Sequence, residues 1–210
     1  MFIIGITGGS GAGKTSALRA LHSLGALVMD CDVIYHELLA DNAEMRSELD
    51  AGFNGVLQNS VIDRKRLGEI VFSDPSALHK LNTITHKYVS EEIERRLAEW
   101  EAMGGAVAAI DAIALIESSR SKTCDVVVGV IAPAETRITR IMRRDRITRG
   151  QAEQRINAQQ PDSFFRENCD HILEGTYKTA GEFYSYCKGF FSELITKKRS
   201  KGRGAENNAG

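Results

Sequence analysis

The chain has 210 residues, 42% of them hydrophobic and 26% charged, with a formal net charge of -1. That is the make-up of a soluble globular protein, either one large domain or one domain with an insertion. It excludes a polyanion-binding surface carried by net charge, and no apolar run approaches the roughly 18 residues of a membrane span.

The apolar run Phe2-Ile3-Ile4-Gly5-Ile6 reads as a buried parallel strand over residues 2–7. About five apolar residues are too few for a signal-peptide core. Gly8-Gly9-Ser10-Gly11-Ala12-Gly13-Lys14-Thr15 follows and fits G-x-x-x-x-G-K-[ST]. A helical pattern then runs from about Lys14 to Leu24, with Gly25 suited to end it. Strand, loop and helix in that order are the context in which this motif binds nucleotide phosphates. Glycines let backbone N–H groups approach a phosphate, and the helix N-terminus adds partial positive charge. Gly11, Ala12, Gly13, Lys14, Thr15 and Ser16 are therefore the candidate nucleotide-binding residues. Lys14 is placed to reach the β- and γ-phosphates, and the Thr15 hydroxyl to bind Mg²⁺. The loop does not name a reaction, since GTPases, ATPases and small-molecule kinases share it.

Ala26–Met29 is a short second strand, closed by Asp30-Cys31-Asp32. Helices follow over about 33–39 and 43–53, then a loop from Asn54 to Ile62. Asp63 is placed to cap a short helix through Val71. Asp74-Pro75 starts the longest helix, with Leu78, Leu81, Ile84, Tyr88, Val89, Ile93 and Leu97 at helical spacing and Gly104-Gly105 as its end. Strands over 106–110 and 125–131 come next, then helices over about 134–144 and 148–160. Residues 170–174 suit a fifth strand and 178–195 a last helix. The basic, Gly/Asn-rich stretch 196–210 reads as disordered. Alternating strands and helices imply a parallel α/β sheet. Its organisation is a nucleotide-binding core of residues 1–32 and 103–195, a helical insertion over 33–102, and a candidate lid over 134–169. Four scattered cysteines without a C-x-x-C point to reduced thiols in a cytosol.

Three clusters could carry chemistry. Asp30 and Asp32 end the second strand, on the side where ligands bind in such sheets. Asp32 has two readings, acceptor of a proton from a substrate hydroxyl or cap of the helix at Val33, and one carboxylate can do both. Asp111 ends an apolar strand, as a Mg²⁺-holding aspartate does, or is simply a loop or capping residue. Arg137, Arg140 and Arg144 share a helix face and suit a lid that brings cations to a γ-phosphate, or else form a solvated basic face.

With these residues placed, the chain resembles the dephospho-coenzyme A kinases from about residue 2 to 174. Ile6-Thr7-Gly8-Gly9-Ser10-Gly11-Ala12-Gly13-Lys14-Thr15-Ser16 is similar to that family's opening L-T-G-G-I-G-S-G-K-S-T, and Asp30-Cys31-Asp32 stands at its D-A-D. Asp63-Arg64 to Leu67, Val71-Phe72-Ser73-Asp74-Pro75, Leu81-Asn82 with His86, and Arg140, Arg144-Asp145, Thr148-Arg149 and Ala158-Gln159 match its D-R-x-x-L, V-F-x-D-P, L-N-x-x-x-H and lid patterns. Lys87 stands for the proline after the histidine, Asp111-Ala112-Ile113-Ala114-Leu115-Ile116-Glu117 lacks the proline of D-x-P-L-L-F-E, and His171-Ile172-Leu173-Glu174 replaces V-I-D-N.

The resemblance implies a P-loop kinase-like parallel five-stranded sheet with a substrate-binding helical insertion and an arginine-rich lid. It implies a cytoplasmic enzyme that uses ATP and Mg²⁺ to phosphorylate the ribose 3′-hydroxyl of dephospho-coenzyme A, without nucleic-acid or membrane partners. Asp32, Lys14 and Arg140 would be catalytic, Arg144 would help bind the nucleotide, and Thr7, Asp32 and His86 would bind the acceptor. Thr15 and Asp111 would hold the metal. Nothing in the chain specifies an oligomer, and a monomer is the expectation. The absence of N-K-x-D speaks against a guanine-nucleotide switch.

Overall fold

A computed structural model describes residues 1–118, 120–177 and 179–206. The chain divides into two compact units, one of Met1–Val28 with the residues from Gly104 onward, the other of Met29–Met103. In chain order the elements begin with β1 (Phe2–Thr7), α1 (Lys14–Ser23), β2 (Leu27–Asp30), α2 (Cys31–Asp41), α3 (Ala43–Phe53), β3 (Leu57–Gln58) and β4 (Val61–Ile62). Then come α4 (Arg64–Ser73), α5 (Pro75–Ala102), β5 (Val107–Asp111), β6 (Val126–Ile131), α6 (Ala134–Asp145), α7 (Arg149–Asn157), α8 (Asp162–Asn168), β7 (His171–Glu174) and α9 (Ala180–Glu206).

Five strands form one parallel sheet in the order β2-β5-β1-β6-β7. Register is fixed by pairs such as Ile4 with Ala109, Ile6 with Val128 and Val130 with Leu173. β5 and β6 are buried along their whole length, as expected for strands covered on both faces. Ile4, Ile6, Leu21, Val128, Leu173, Phe183 and Phe191 form the core, where α1 and α9 pack on the sheet. At the start of β6, Asp125 accepts from the Ile3 amide (2.8 Å) and its own N–H donates to the Ile3 carbonyl (2.9 Å). Asp170, just before β7, does the same to Val127, at 2.7 and 2.9 Å. No helix among the described residues is long and apolar enough to cross a membrane.

In the helical unit, Met45, Leu49, Phe53, Leu67, Val71, Ile84 and Tyr88 share one apolar core. Each helix has an N-cap of the expected chemistry: Asp30 for α2, Asn42 for α3, Asp63 for α4, and Asp74 ahead of Pro75 for α5.

Four details differ from the sequence expectation. The 54–62 loop contains the small antiparallel hairpin β3–β4. Its two central residues, Asn59 and Ser60, both have positive φ (50 and 66), the geometry of a tight primed turn. The helix expected over 148–160 stops at Asn157, and a separate α8 begins after Pro161, because a proline disfavours helix in the residue before it. The cap of α2 is Asp30, whose Oδ1 accepts from Asp32 N (2.9 Å) and Val33 N (3.1 Å), so Asp32 lies inside the first turn. The last helix continues past 195 to Glu206, where a disordered tail was expected from 196. Ile195 is buried beside the sheet, and Lys198 pairs with Asp125 at 2.9 Å, which favours continuation. Residues 207–210 of that stretch lie outside the described residues.

Candidate active site

The loop between β1 and α1 is shaped by close approach. Gly8 has φ +138, and a Cβ there would lie 2.1 Å from the Val130 carbonyl oxygen. Gly11 and Gly13 also have positive φ, at +77 and +118, a region costly for residues with a side chain. Gly13 is the cap residue of α1 and gives no side-chain hydrogen bond to it. The first N–H groups of that helix, with its positive dipole end, therefore face an anion site not occupied by a side-chain cap. Lys14 follows, half-buried, its Nζ donating to the Gly8 carbonyl at 2.9 Å. Thr15 is exposed in the first turn, and Ser16 N donates to the Gly13 carbonyl at 2.9 Å.

Two arginines of α6 lie against this loop. Arg137 Nε donates to the Ser10 carbonyl (3.0 Å), and Arg140 Nη1 donates to the carbonyls of Gly11 (3.1 Å) and Ala12 (3.2 Å). Arg140 Nη2 also donates to the Gly175 carbonyl, at 2.8 Å. Burial lowers the pKa of both guanidinium groups from the ordinary arginine value, and at Arg137 the nearby Asp162 carboxylate opposes the shift. Both stay protonated at any working pH, so the loop carries two fixed positive charges.

The outer arginines behave differently. Arg144 forms a bidentate pair with Asp145 (2.7 and 2.9 Å), and Arg155 joins the same carboxylate. Hydrogen bonding from Arg144 holds the Asp145 carboxyl down at about 2. Arg149 bridges Glu135 and Glu153, at 2.5 and 2.7 Å. Arg144, expected at the nucleotide, is paired with Asp145 in this structure, and α6 and α7 share a small core of Ile138, Ile141 and Ala152.

Asp111 ends β5 buried, opposite Ile6 in register and thus beside the strand that feeds the loop. Thr7, expected to face the acceptor, is fully buried, and its Oγ1 donates to the Ile113 carbonyl at 3.1 Å. This bond ties the end of β1 to the segment after β5. That segment lines a cavity of about 240 Å³ with Gly9, Ile113, Glu117, Gln159 and Phe165. In the helical unit, Asp32 and His86 are both exposed, Asp32 in the first turn of α2 and His86 midway along α5.

Sequence reading grouped Arg137 with the arginine face and Gln159 with the lid pattern, but it gave neither a contact with the phosphate loop. Gln159 Oε1 accepts from Ser10 N (2.9 Å) and from Arg137 Nη2 (2.8 Å), and its Nε2 donates to Ser10 Oγ (2.9 Å). The available signal was Arg137 beginning the arginine face and Gln159 closing the lid pattern, but neither residue type announces a backbone contact more than 120 residues away in sequence.

Chemically, the arrangement can hold a chain of phosphates on backbone amides and a helix N-terminus and bring the positive charges of Lys14 and Arg140 to them. The dephospho-CoA kinase family model matches residues 2–180. The dephospho-CoA kinase of Geobacter sulfurreducens is 40% identical over 163 residues, which are 77% of this chain and 83% of that protein. Among solved structures, TT1252 from Thermus thermophilus is 29% identical with a TM-score of 0.77, covering 92% of this chain and 97% of that one. Dephospho-CoA kinase from Campylobacter jejuni is 25% identical with a TM-score of 0.68, covering 93% and 98%. With the loop, the sheet order and a family match over most of the sequence in agreement, the chain belongs to the dephospho-CoA kinase family of ATP-dependent kinases, whose role is in coenzyme A biosynthesis.

Proposed function

We propose that the protein transfers the γ-phosphoryl group of MgATP to the ribose 3′-hydroxyl of dephospho-coenzyme A, giving coenzyme A and ADP. The observation that carries this reading is the phosphate loop itself: a glycine-shaped strand-to-helix turn with Lys14 at its end and α6 arginines on its carbonyls.

Asp32 orients the acceptor hydroxyl and takes its proton as the new P–O bond forms and the bond to the ADP oxygen breaks. The capping duty of α2 falls to Asp30, which leaves the exposed Asp32 carboxylate for this task. Lys14 and the loop amides hold the β- and γ-phosphates. Arg140, held on the Gly11, Ala12 and Gly175 carbonyls, offsets charge on the transferring group across the loop, with Arg144 supporting the nucleotide after exchanging Asp145 for a phosphate. The Thr15 hydroxyl and the buried Asp111 carboxylate are oxygen donors of the kind Mg²⁺ takes, and they would hold the ion, which supplies charge neutralisation on the phosphates. His86 contacts the acceptor from the helical unit, and Thr7 acts indirectly by fixing the segment after β5. The lid excludes water and so suppresses ATP hydrolysis. The enzyme works in the cytoplasm.

The test is ADP release from MgATP with and without dephospho-coenzyme A, with the product's mass measured. Turnover that needs the acceptor and adds one phosphoryl group supports the reading, and loss of turnover with a 3′-blocked acceptor locates the hydroxyl. Nucleotide binding without acceptor-dependent turnover rejects it.

A further inference from the structure

The grip on Ser10 has no counterpart in the chemistry above. Gln159 makes three hydrogen bonds around Ser10 and Arg137: it accepts from Ser10 N (2.9 Å) and from Arg137 Nη2 (2.8 Å), and it donates to Ser10 Oγ (2.9 Å). Arg137 closes the circuit by donating to the Ser10 carbonyl (3.0 Å). Its side chain is only 5% exposed, with Asp162 at 3.7 Å as its ion-pair partner. Gly9 makes room for it, since a Cβ at that position would lie 2.1 Å from Arg137 Nη2. Burying a guanidinium is costly unless its donors are used, and here they are spent on loop backbone and on the amide that holds the loop.

The consequence follows from peptide geometry. No peptide bond among the described residues is cis, and in a planar trans peptide the carbonyl and the following N–H point in opposite directions. Arg137 and Arg140 hold three successive carbonyls, those of Ser10, Gly11 and Ala12. The N–H groups of Gly11, Ala12 and Gly13 are thereby turned away from α6, and that of Ala12 already bonds to the Gly9 carbonyl at 3.2 Å. A glycine-rich loop left to itself would sample many orientations of these planes.

We propose that Arg137 and Gln159 are positioning residues for phosphoryl transfer, which together clamp Ser10 and preset the peptide planes that receive the nucleotide's phosphates. They act through the loop and touch no reacting atom. The proposal rests on the kinase reading only in that the loop binds a polyphosphate. The competing account is a packing strut between α6 and α8, in which the Arg137–Asp162 pair matters and the Ser10 contacts do not.

Calorimetric titration of inorganic tripolyphosphate and of ATP into the parent protein, Gln159→Ala, Arg137→Lys and the double variant separates these accounts. Tripolyphosphate reads the phosphate cradle without the adenine site. We expect each single variant to lose about tenfold in affinity for both probes, the scale of one hydrogen bond in a charged network. Because both residues act on Ser10, the double variant should lose little more than either single one. Gln159→Ala should keep a melting temperature close to the parent's, so that its loss is not unfolding. Unchanged tripolyphosphate affinity in a folded Gln159→Ala variant overturns the clamp. So does a loss confined to Arg137→Lys and matched by Asp162→Asn, which supports the strut. Failure of the parent to bind tripolyphosphate would overturn the nucleotide-site reading, and the clamp with it.

Discussion

Residues 8–16 are positioned by polar contacts: glycines at positive φ, an ammonium on a carbonyl, and two guanidinium groups on three more. Residues 29–103 are positioned by apolar packing, with Met45, Leu49 and Ile84 inside and the functional candidates Asp32 and His86 outside, exposed to solvent. The first region leaves almost no freedom to the groups it presents, which suits a phosphate chain common to every turnover. The second fixes a scaffold from within, so its exposed residues can be substituted with little effect on the apolar packing. Substitutions in the two regions should accordingly fail in different ways.

The largest effect is expected from the exposed side. Asp32→Asn should cut turnover by roughly 10²–10⁴-fold, the usual scale for a general base, with ATP affinity and melting temperature largely preserved. Near-normal turnover, measured as acceptor-dependent ADP release, would remove Asp32 from the mechanism. On the loop side, Lys14→Met should lower turnover by about 10²–10³-fold, the scale of a lost charge stabiliser, and weaken ATP binding too. A Lys14 variant that lost turnover alone would break the claim that the loop handles bound and reacting phosphates with the same groups.

Stability should show the reverse pattern. Leu49 is fully buried in the helical unit, and Leu49→Ala should cost about 2–5 kcal/mol in denaturant unfolding. ATP affinity of the folded fraction should hold. A smaller change is expected at the cap of α5, where Asp74 accepts from Ser76 N at 2.8 Å. Asp74→Ala should cost about 0.5–2 kcal/mol, with turnover unaffected. If either variant weakened ATP binding beyond its effect on folding, the two regions would be coupled more tightly than their construction implies.

Much of this was legible in the sequence where a local rule governs. Asp74-Pro75, the 75–102 periodicity and the glycine loop each specify their element from neighbouring residues, and all three lie where the sequence places them. Legibility failed where two local signals competed or where the deciding contact was distant. Asp30 and Asp32 are both caps by composition, and only the backbone shows that Asp30 takes the Asp32 and Val33 amides. Asn59-Ser60 lacks the glycine that would announce a primed turn, so the hairpin stayed hidden. Among the arginines of one helix face, sequence could not distinguish Arg137 and Arg140, drawn to the loop, from Arg144, held by Asp145. That sorting is made by partners elsewhere in the chain.

The aspartates at the heads of β6 and β7 bear on how the sheet finds its alignment. Asp125 meets Ile3 across 122 residues of chain, and Asp170 meets Val127 across 43. The strand that Asp125 introduces opens on the aliphatic run Val126-Val127-Val128, in which neighbouring positions are chemically alike. Sliding β6 by one position would carry its carboxylate away from the Ile3 amide and turn every side chain to the opposite face. Each aspartate is thus an index mark: it makes one alignment distinguishable from its neighbours.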